Sequence, residues 1–249
     1  MARHEEIIQQ IRKALGRPLH GSSVKGESAL PPASSLAGIL PTIPPEELLP
    51  KFEAELAKVA GMAHRATDRQ ELEEILRTIL FQAKATNVVL SRNPLLAELN
   101  LEPLLRAWGK GICVWPASGA KDAPVDEDVS LRAFAKASFA AAVGITGVDF
   151  ALAETGSLVV SSGTEGAQLA SLAPPVHVAL YRRSQLVASL DEVLERLPAA
   201  RSPEQTAPGR SVVFITGTSR TADIEQILIR GVHGPGEVHA ILVEEACFL

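Results

Sequence analysis

A chain of 249 residues, 46% of them hydrophobic, is long enough to bury a substantial core in one large domain or two small ones. Its formal net charge of -5, with no basic run interleaved with aromatic residues, argues against nucleic-acid binding while leaving room for a local small-anion site. Its two cysteines, Cys113 and Cys247, form no CxxC pair, so this polypeptide alone cannot hold an iron–sulfur cluster or a thiolate zinc site.

In chain order, "MARHEEIIQQIRKALG" opens with Ile7, Ile8, Ile11 and Leu15 at helical spacing, and Gly16 is a stop signal. The segment is charged and amphipathic, without the apolar core of a signal peptide. No apolar run reaches the roughly 18 residues of a membrane span, so a cytoplasmic protein is expected. Residues 16–45, rich in Pro, Ser and Gly, read as an extended linker. This predicts an N-terminal helix and flexible linker over 1–45 and an α/β domain over 46–249.

The domain starts with "PPEELLPKFEAELAKVAG", where Leu48, Phe52, Leu56 and Val59 share a helical face. A second helix follows in "ATDRQELEEILRTILFQAKA", where Thr67 or Asp68 can cap and Glu71 can close a capping box. "NVVLS" and "GICVW" are short β-rich runs on either side of a helical "PLLAELNLEPLLRAWG". After a polar loop at 117–127 the alternation resumes: helix in "VSLRAFAKASFA", strands in "AAVGIT" and "SLVVSS", a short helix in "GAQLASLA", a strand in "VHVALY" and a helix opened by Ser189. "SVVFITG" is a strand, "TADIEQILIRGVHG" a helix and "EVHAILVEE" the last strand. Short apolar strands alternating with helices predict a mostly parallel sheet flanked by helices.

Three stretches carry candidate chemistry. In "VVFITGTSRTADIEQIL", a buried strand enters Gly217 and a helix is expected from Thr221. Thr218, Ser219, Arg220 and Thr221 are therefore candidates to hold a carboxylate or phosphate on free backbone N–H groups, with Asp223 and Glu225 in the helix's first turn. The alternative is plain capping by Ser219 or Thr221. In "ALAETGSLVVSSG", Gly156 allows positive φ or close backbone approach. Beside it Glu154 reads either as a general base or nucleophile, with Asp149 the nearest acid, or as a solvated turn residue. In "GVHGPGEVHA", His233 either acts as acid, base or ligand or caps the last helical turn; His177 and His239 lie inside strand patterns. No HxxxH or paired-carboxylate spacing argues for a metal.

The runs "GITGVDFALAETGSLVVSSGTEGAQLASLAPPVHVAL" and "GTSRTADIEQILIRGVHGPGEVHAILVE" resemble the LUD-domain family, well over the C-terminal half and more loosely before it. The resemblance implies a fold of the CoA-transferase and ribose-phosphate-isomerase type. It implies a role in oxidising L-lactate to pyruvate beside partner proteins that carry the iron–sulfur clusters, with no cofactor in this chain and a small carboxylate or anion as ligand. Carried over by position, the signature residues are Asp149, Glu154, Thr155, Gly156, Ser157, Thr221, Asp223, Glu225, His233 and Gly234. By fold analogy Glu154 is the catalytic candidate, with His233 beside it. Two readings follow: a non-redox subunit of a lactate-oxidising assembly, or an independent small-molecule enzyme that uses Glu154 as base or nucleophile.

Overall fold

The inner strands of the main sheet are nearly continuous apolar runs, as expected where both faces of a sheet are covered. β4 (Val143–Thr146) and β7 (Val176–Tyr181) are buried at every position, and β12 (Glu237–Val243) at all but its first. With β1 (Met62–Ala66), β2 (Asn87–Leu90) and β3 (Gly111–Val114) they form a six-stranded sheet in the order β1-β12-β7-β4-β2-β3, parallel throughout. The computed structural model describes residues 43–115, 127–166, 168–197, 211–222 and 228–248, all within one compact unit, Pro41–Leu249. The helix expected over 2–15 and nearly all of the expected linker lie outside these residues.

One face of the sheet is covered by α2 (Arg69–Gln82), α3 (Pro94–Glu98) and α4 (Leu101–Ala107). Leu72, Leu76, Ile79 and Leu80 of α2 pack with Leu95, Leu101 and Leu105 over Val88, Ile145, Val178 and Ile241. The start of α2 is the expected capping arrangement. Asp68 accepts the Glu71 N–H at 2.9 Å, and the Glu71 carboxylate reaches back to the N–H and hydroxyl of Thr67 at 2.8 and 2.7 Å. The segment read as one helix after β2 is two, because Asn100 takes left-handed backbone with φ 49 and breaks it.

The other face carries two kinds of cover. α5 (Glu127–Ala140) and α7 (Leu169–Leu172) lie over the β2, β3 and β4 side, where Phe134 and Ala170 meet Val89. Over β7 and β12 sit α1 (Leu48–Lys58) and a second, four-stranded sheet that the periodicity did not reveal. Its strands are β5 (Phe150–Leu152), β6 (Ser157–Ser161), β8 (Leu186–Val187) and β9 (Val212–Ile215), in the order β8-β5-β6-β9. β5–β6 and β6–β9 are antiparallel. Phe52 and Leu56 of α1, Ala151, Leu158 and Val160 of the small sheet, and Ala179, Tyr181, Val238 and Ala240 of the large one make a single buried cluster. On the outer side of the small sheet, Val193 of α8 (Leu190–Arg196) packs on Leu152, Val159 and Val187.

Among the described residues, those after Gly217 do not form the expected helix: β10 (Arg220–Ala222) and β11 (Leu228–Arg230) pair as a separate antiparallel ribbon. Thr221 pairs with Ile229 there, both β-branched, and the Gly231 N–H closes the base on the Ser219 carbonyl at 3.1 Å. The expected helix N-terminus at Thr221, its capping by Ser219 or Thr221, and the anion site on its amides therefore do not form. Asp223 and Glu225 lie outside the described residues.

Candidate functional site

The turn 153–156 joins β5 to β6 as a tight hairpin, with the Gly156 N–H bonded to the Leu152 carbonyl. Gly156 has φ 66, and a Cβ on it would stand 2.2 Å from the Leu56 nitrogen in α1. Both uses foreseen for this glycine, left-handed backbone and close approach, are realised at once. Gly217, at the end of β9, repeats the device: φ 72, with a Cβ falling 2.2 Å from the Val59 carbonyl oxygen. The two turns thus rest on the last part of α1 and its cap. Hydroxyls link them, since Ser157 Oγ lies 2.7 Å from Thr155 Oγ1 and 2.7 Å from Thr216 Oγ1.

The sequence-predicted residues divide accordingly. Thr155, Gly156, Ser157, Thr218 and Ser219 belong to this joined pair of turns. The Thr218 N–H donates to the Val59 carbonyl, and the Thr218 hydroxyl is buried without a partner. The Ser219 N–H donates to the Pro235 carbonyl, bringing the 231–236 loop alongside, and Gly234 sits next to the Ser219 side chain. Glu154 faces a different neighbour: its N–H donates to the Ala188 carbonyl and its carboxylate accepts the Leu190 N–H at 3.2 Å, at the first turn of α8. Asp149 accepts the Ser161 N–H at 2.6 Å and the Thr164 hydroxyl at 2.9 Å, holding the single-turn α6 (Ser162–Glu165). Arg220 and His233 are exposed.

A second constellation went unread in the sequence. Glu165, last residue of α6, is fully buried. Its carboxyl group takes short hydrogen bonds from Ser91 Oγ and Asn93 Nδ2, and a third from the Gly147 N–H at 3.2 Å. Asn93 uses its side-chain oxygen to cap α3 through the Leu95 N–H at 3.0 Å. Burial pushes the Glu165 acid up to about 7, with Asp149 adding to the rise and its three donors opposing it. One acid therefore ties together the loops that leave the carboxyl ends of β2 and β4. The chain steps outward from β2 to β3 and then returns to lay β4 on the other side of β2, so these two neighbours flank a topological switch point, where ligands of open α/β sheets bind.

Beside this acid lies a cavity of about 370 Å³ between the carboxyl ends of β2 and β3 and helices α3 and α4. Leu96, Leu101 and Trp115 give it an apolar wall, and Ser91, Arg92 and Asn93 a polar one. Arg92 spans from the cavity to the α6 turn, where its guanidinium donates to the Gly163 carbonyl at 2.8 Å. The Trp115 ring is set edge-on to Phe134, centroids 5.0 Å apart. The only signal in the sequence was the polar triplet Ser91–Asn93 following a buried strand and preceding a proline.

At the opposite end of the sheet, His64 and Met62 of β1 and His239 of β12 line a cavity of about 400 Å³ under α2. His64 Nε2 and His239 Nδ1 are 3.0 Å apart, and burial lowers both rings, His239 to about 4. His177, within hydrogen-bond reach of Thr146 at 2.9 Å, is lowered to about 3, mainly by burial. Neither Glu154 nor His233 lines either cavity. Because the folded pKa values lie below the unfolded one, the stability these rings confer is complete above about pH 6.5 and lost as pH falls toward about 4. The urea midpoint should drop over that range, and His177→Gln should make the drop shallower; equal slopes would remove His177 from the acid response.

Among the described residues, no helix is long and apolar enough to cross a membrane, and no group of three or more His, Cys, Asp or Glu side chains is placed to hold a metal ion. The model of the LUD domain matches residues 49–243, which is the parallel sheet with its cover. The chain belongs to the LUD-domain family. This LUD domain is 30% identical over 181 residues to lactate utilization protein C of Halalkalibacterium halodurans, covering 73% of each chain. It is 30% identical over 179 residues to the Bacillus subtilis protein of the same name, covering 72% of this chain and 71% of the other. Against YkgG of Escherichia coli, described as uncharacterized, identity is 25% over 241 residues, 96% of this chain and 97% of that one. The crystal structure of a DUF162 family protein from Deinococcus radiodurans superposes with a TM-score of 0.53 at 20% identity, covering 82% of this LUD chain and 100% of the other. That likeness establishes the fold.

Proposed function

We propose that this protein acts in cytoplasmic lactate utilisation as a subunit without a redox centre of its own, holding a small organic acid while iron–sulfur partner proteins carry the electrons. Its relatives named lactate utilization protein C support the process. Two cysteines, one of them, Cys247, buried with its thiol against the Ala66 and Asp68 carbonyls, cannot supply four thiolates to a cluster. The observation that carries the ligand is the cavity at the carboxyl ends of β2 and β3, where Arg92, Asn93, Asn100 and one acid, Glu102, stand in a lining that is otherwise mostly apolar. There the acid's carboxylate lies against Arg92, its carbon skeleton against Leu96, Leu101 and Trp115. The cavity is a concave cleft, the setting in which small ligands bind.

Titration of the purified protein with L-lactate and with pyruvate, followed by Trp115 fluorescence and calorimetry, should show saturable binding of at least one of them. Arg92→Gln should weaken it about 10- to 100-fold, the worth of one charge-assisted hydrogen bond. Undiminished binding by Arg92→Gln would take the ligand out of this cavity. Deletion of the gene should abolish growth on L-lactate as carbon source; normal growth would refute the role in lactate utilisation.

A further inference from the structure

Three side chains that can bind a soft metal ion share one face of the main sheet at its β1 edge. Met62 and His64 are two positions apart on β1, so they project from the same face. β12 runs parallel beside it, and the register sets His239 directly opposite Met62. Neighbouring strands lie about 4.8 Å apart, a spacing across which side chains of this length can converge. All three line the cavity of about 400 Å³ under α2. Two of the donors already meet, with His64 Nε2 and His239 Nδ1 3.0 Å apart. Nitrogens that share a tetrahedral ion at about 2.0–2.1 Å stand roughly 3.3 Å from each other. An ion replacing the proton these rings share would therefore open the pair by only a few tenths of an ångström.

The far side of His239 fits the same use. Its Nε2 is buried without a hydrogen-bond partner, and the Glu237 carboxylate stands 3.7 Å away. A histidine that ligates through one nitrogen gives its other N–H to a carboxylate or carbonyl, which fixes tautomer and ring. Burial lowers both rings, His239 to about 4, so near neutral pH they are in the uncharged form that ligates. Met62 is 38% exposed and His64 half-buried, which leaves the ion a way in from solvent.

The donors select the ion. Glu74 of α2 also lines the cavity, but its carboxylate takes the Gln70 amide at 2.8 Å, and among the described residues no Cys, Asp, Glu or further His makes a three-ligand group with the pair. Mg²⁺ and Ca²⁺ need oxygen ligands, and structural Zn²⁺ takes four from His, Cys and carboxylates. Imidazole with thioether sulfur instead suits Cu(I). We propose that Met62, His64 and His239 form a binding site for Cu(I). Its uncharged donors favour the monovalent ion, which is held rather than cycled, and binding here is independent of the organic-acid cavity.

The full-length protein, reduced and kept under nitrogen, is titrated with Cu(I) against bicinchoninate as competing chromophoric chelator, and with Zn²⁺ in parallel. The wild type should take one Cu(I) per chain from the chelator and melt at a higher temperature with it than without. Met62→Leu, close in volume and at an exposed position, and His64→Gln should each weaken Cu(I) binding at least about tenfold while the metal-free proteins melt as the wild type does. X-ray absorption of the Cu(I) protein should show both nitrogen and sulfur neighbours. No uptake by the wild type, or equal uptake by wild type and both variants, overturns the site. Zn²⁺ held more tightly than Cu(I) and insensitive to Met62→Leu overturns the choice of ion.

Discussion

Gly156→Ala is expected to destabilise the protein by about 3 kcal/mol or more, enough to remove a large part of a typical domain's stability. Two costs combine. Alanine in left-handed backbone costs about 1–2 kcal/mol. The added methyl would also lie 2.2 Å from the Leu56 nitrogen, a main-chain atom inside α1 that cannot swing away as a side chain would. The turn would have to lift off α1, and Leu158 and Ala153 would move away from Phe52 and Leu56, with which they share a fully buried cluster. Gly109 is the internal control. It has φ 75, but nothing lies within 4 Å of the space its Cβ would fill, so Gly109→Ala should cost only the backbone term of about 1–2 kcal/mol. Urea unfolding of the two variants separates the contributions: equal losses would mean that contact with α1 adds nothing.

The glycine could be read from the sequence because its use is local. A glycine between an acid-rich turn and an apolar run announces a backbone that other residues avoid, wherever the turn ends up. Five of the six parallel strands were legible for a similar reason, since burial on both faces leaves continuous apolar runs such as "VHVALY" and "EVHAILV"; β1, the edge strand "MAHRA", is mostly exposed and shows no such run. The small sheet was not. β5 and β8 contribute three and two residues, too few to display alternation, and they become strands only by pairing with each other and with β6. The ribbon at Arg220–Arg230 was misread because "TADIEQILIR" spaces its apolar residues as a helix would. Tertiary closure between Ser219 and Gly231 outweighs that weak local preference. Nor could the Glu165 site be seen, because its meaning lies in residues far along the chain. Ser91 and Asn93 are 74 and 72 positions away, and in the sequence Glu165 is one more polar residue of a serine- and glycine-rich turn.

That same acid sets the other large effect, a change with pH opposite in sign to that of the histidines. The Glu165 carboxyl is raised from 4.5 to about 7 by burial, so between those values the folded protein keeps a proton that the unfolded chain has released. Its contribution to stability is complete below about pH 4.5 and declines as pH rises to about 7, by an amount on the order of 3 kcal/mol. Glu165→Gln has the same shape and nothing to titrate, although its amide nitrogen faces the Asn93 Nδ2 donor that the carboxyl accepts. The two proteins share every histidine, so the acid-side changes cancel in the difference between them. The stability advantage of wild type over Glu165→Gln should therefore be largest at about pH 4.5 and below, shrink by roughly 3 kcal/mol by pH 8, and level off above that. Urea midpoints measured across this interval test it, and a difference that stays constant with pH would mean that Glu165 is already ionised in the folded state. If the proton is held, Ser91, Asn93 and Gly147 meet a neutral carboxyl at mildly acidic pH and an anion at mildly alkaline pH. Glu165 stands behind Ser91 and Asn93 of the neighbouring cavity's polar wall, so the affinity of the organic acid proposed for that cavity should fall as Glu165 ionises.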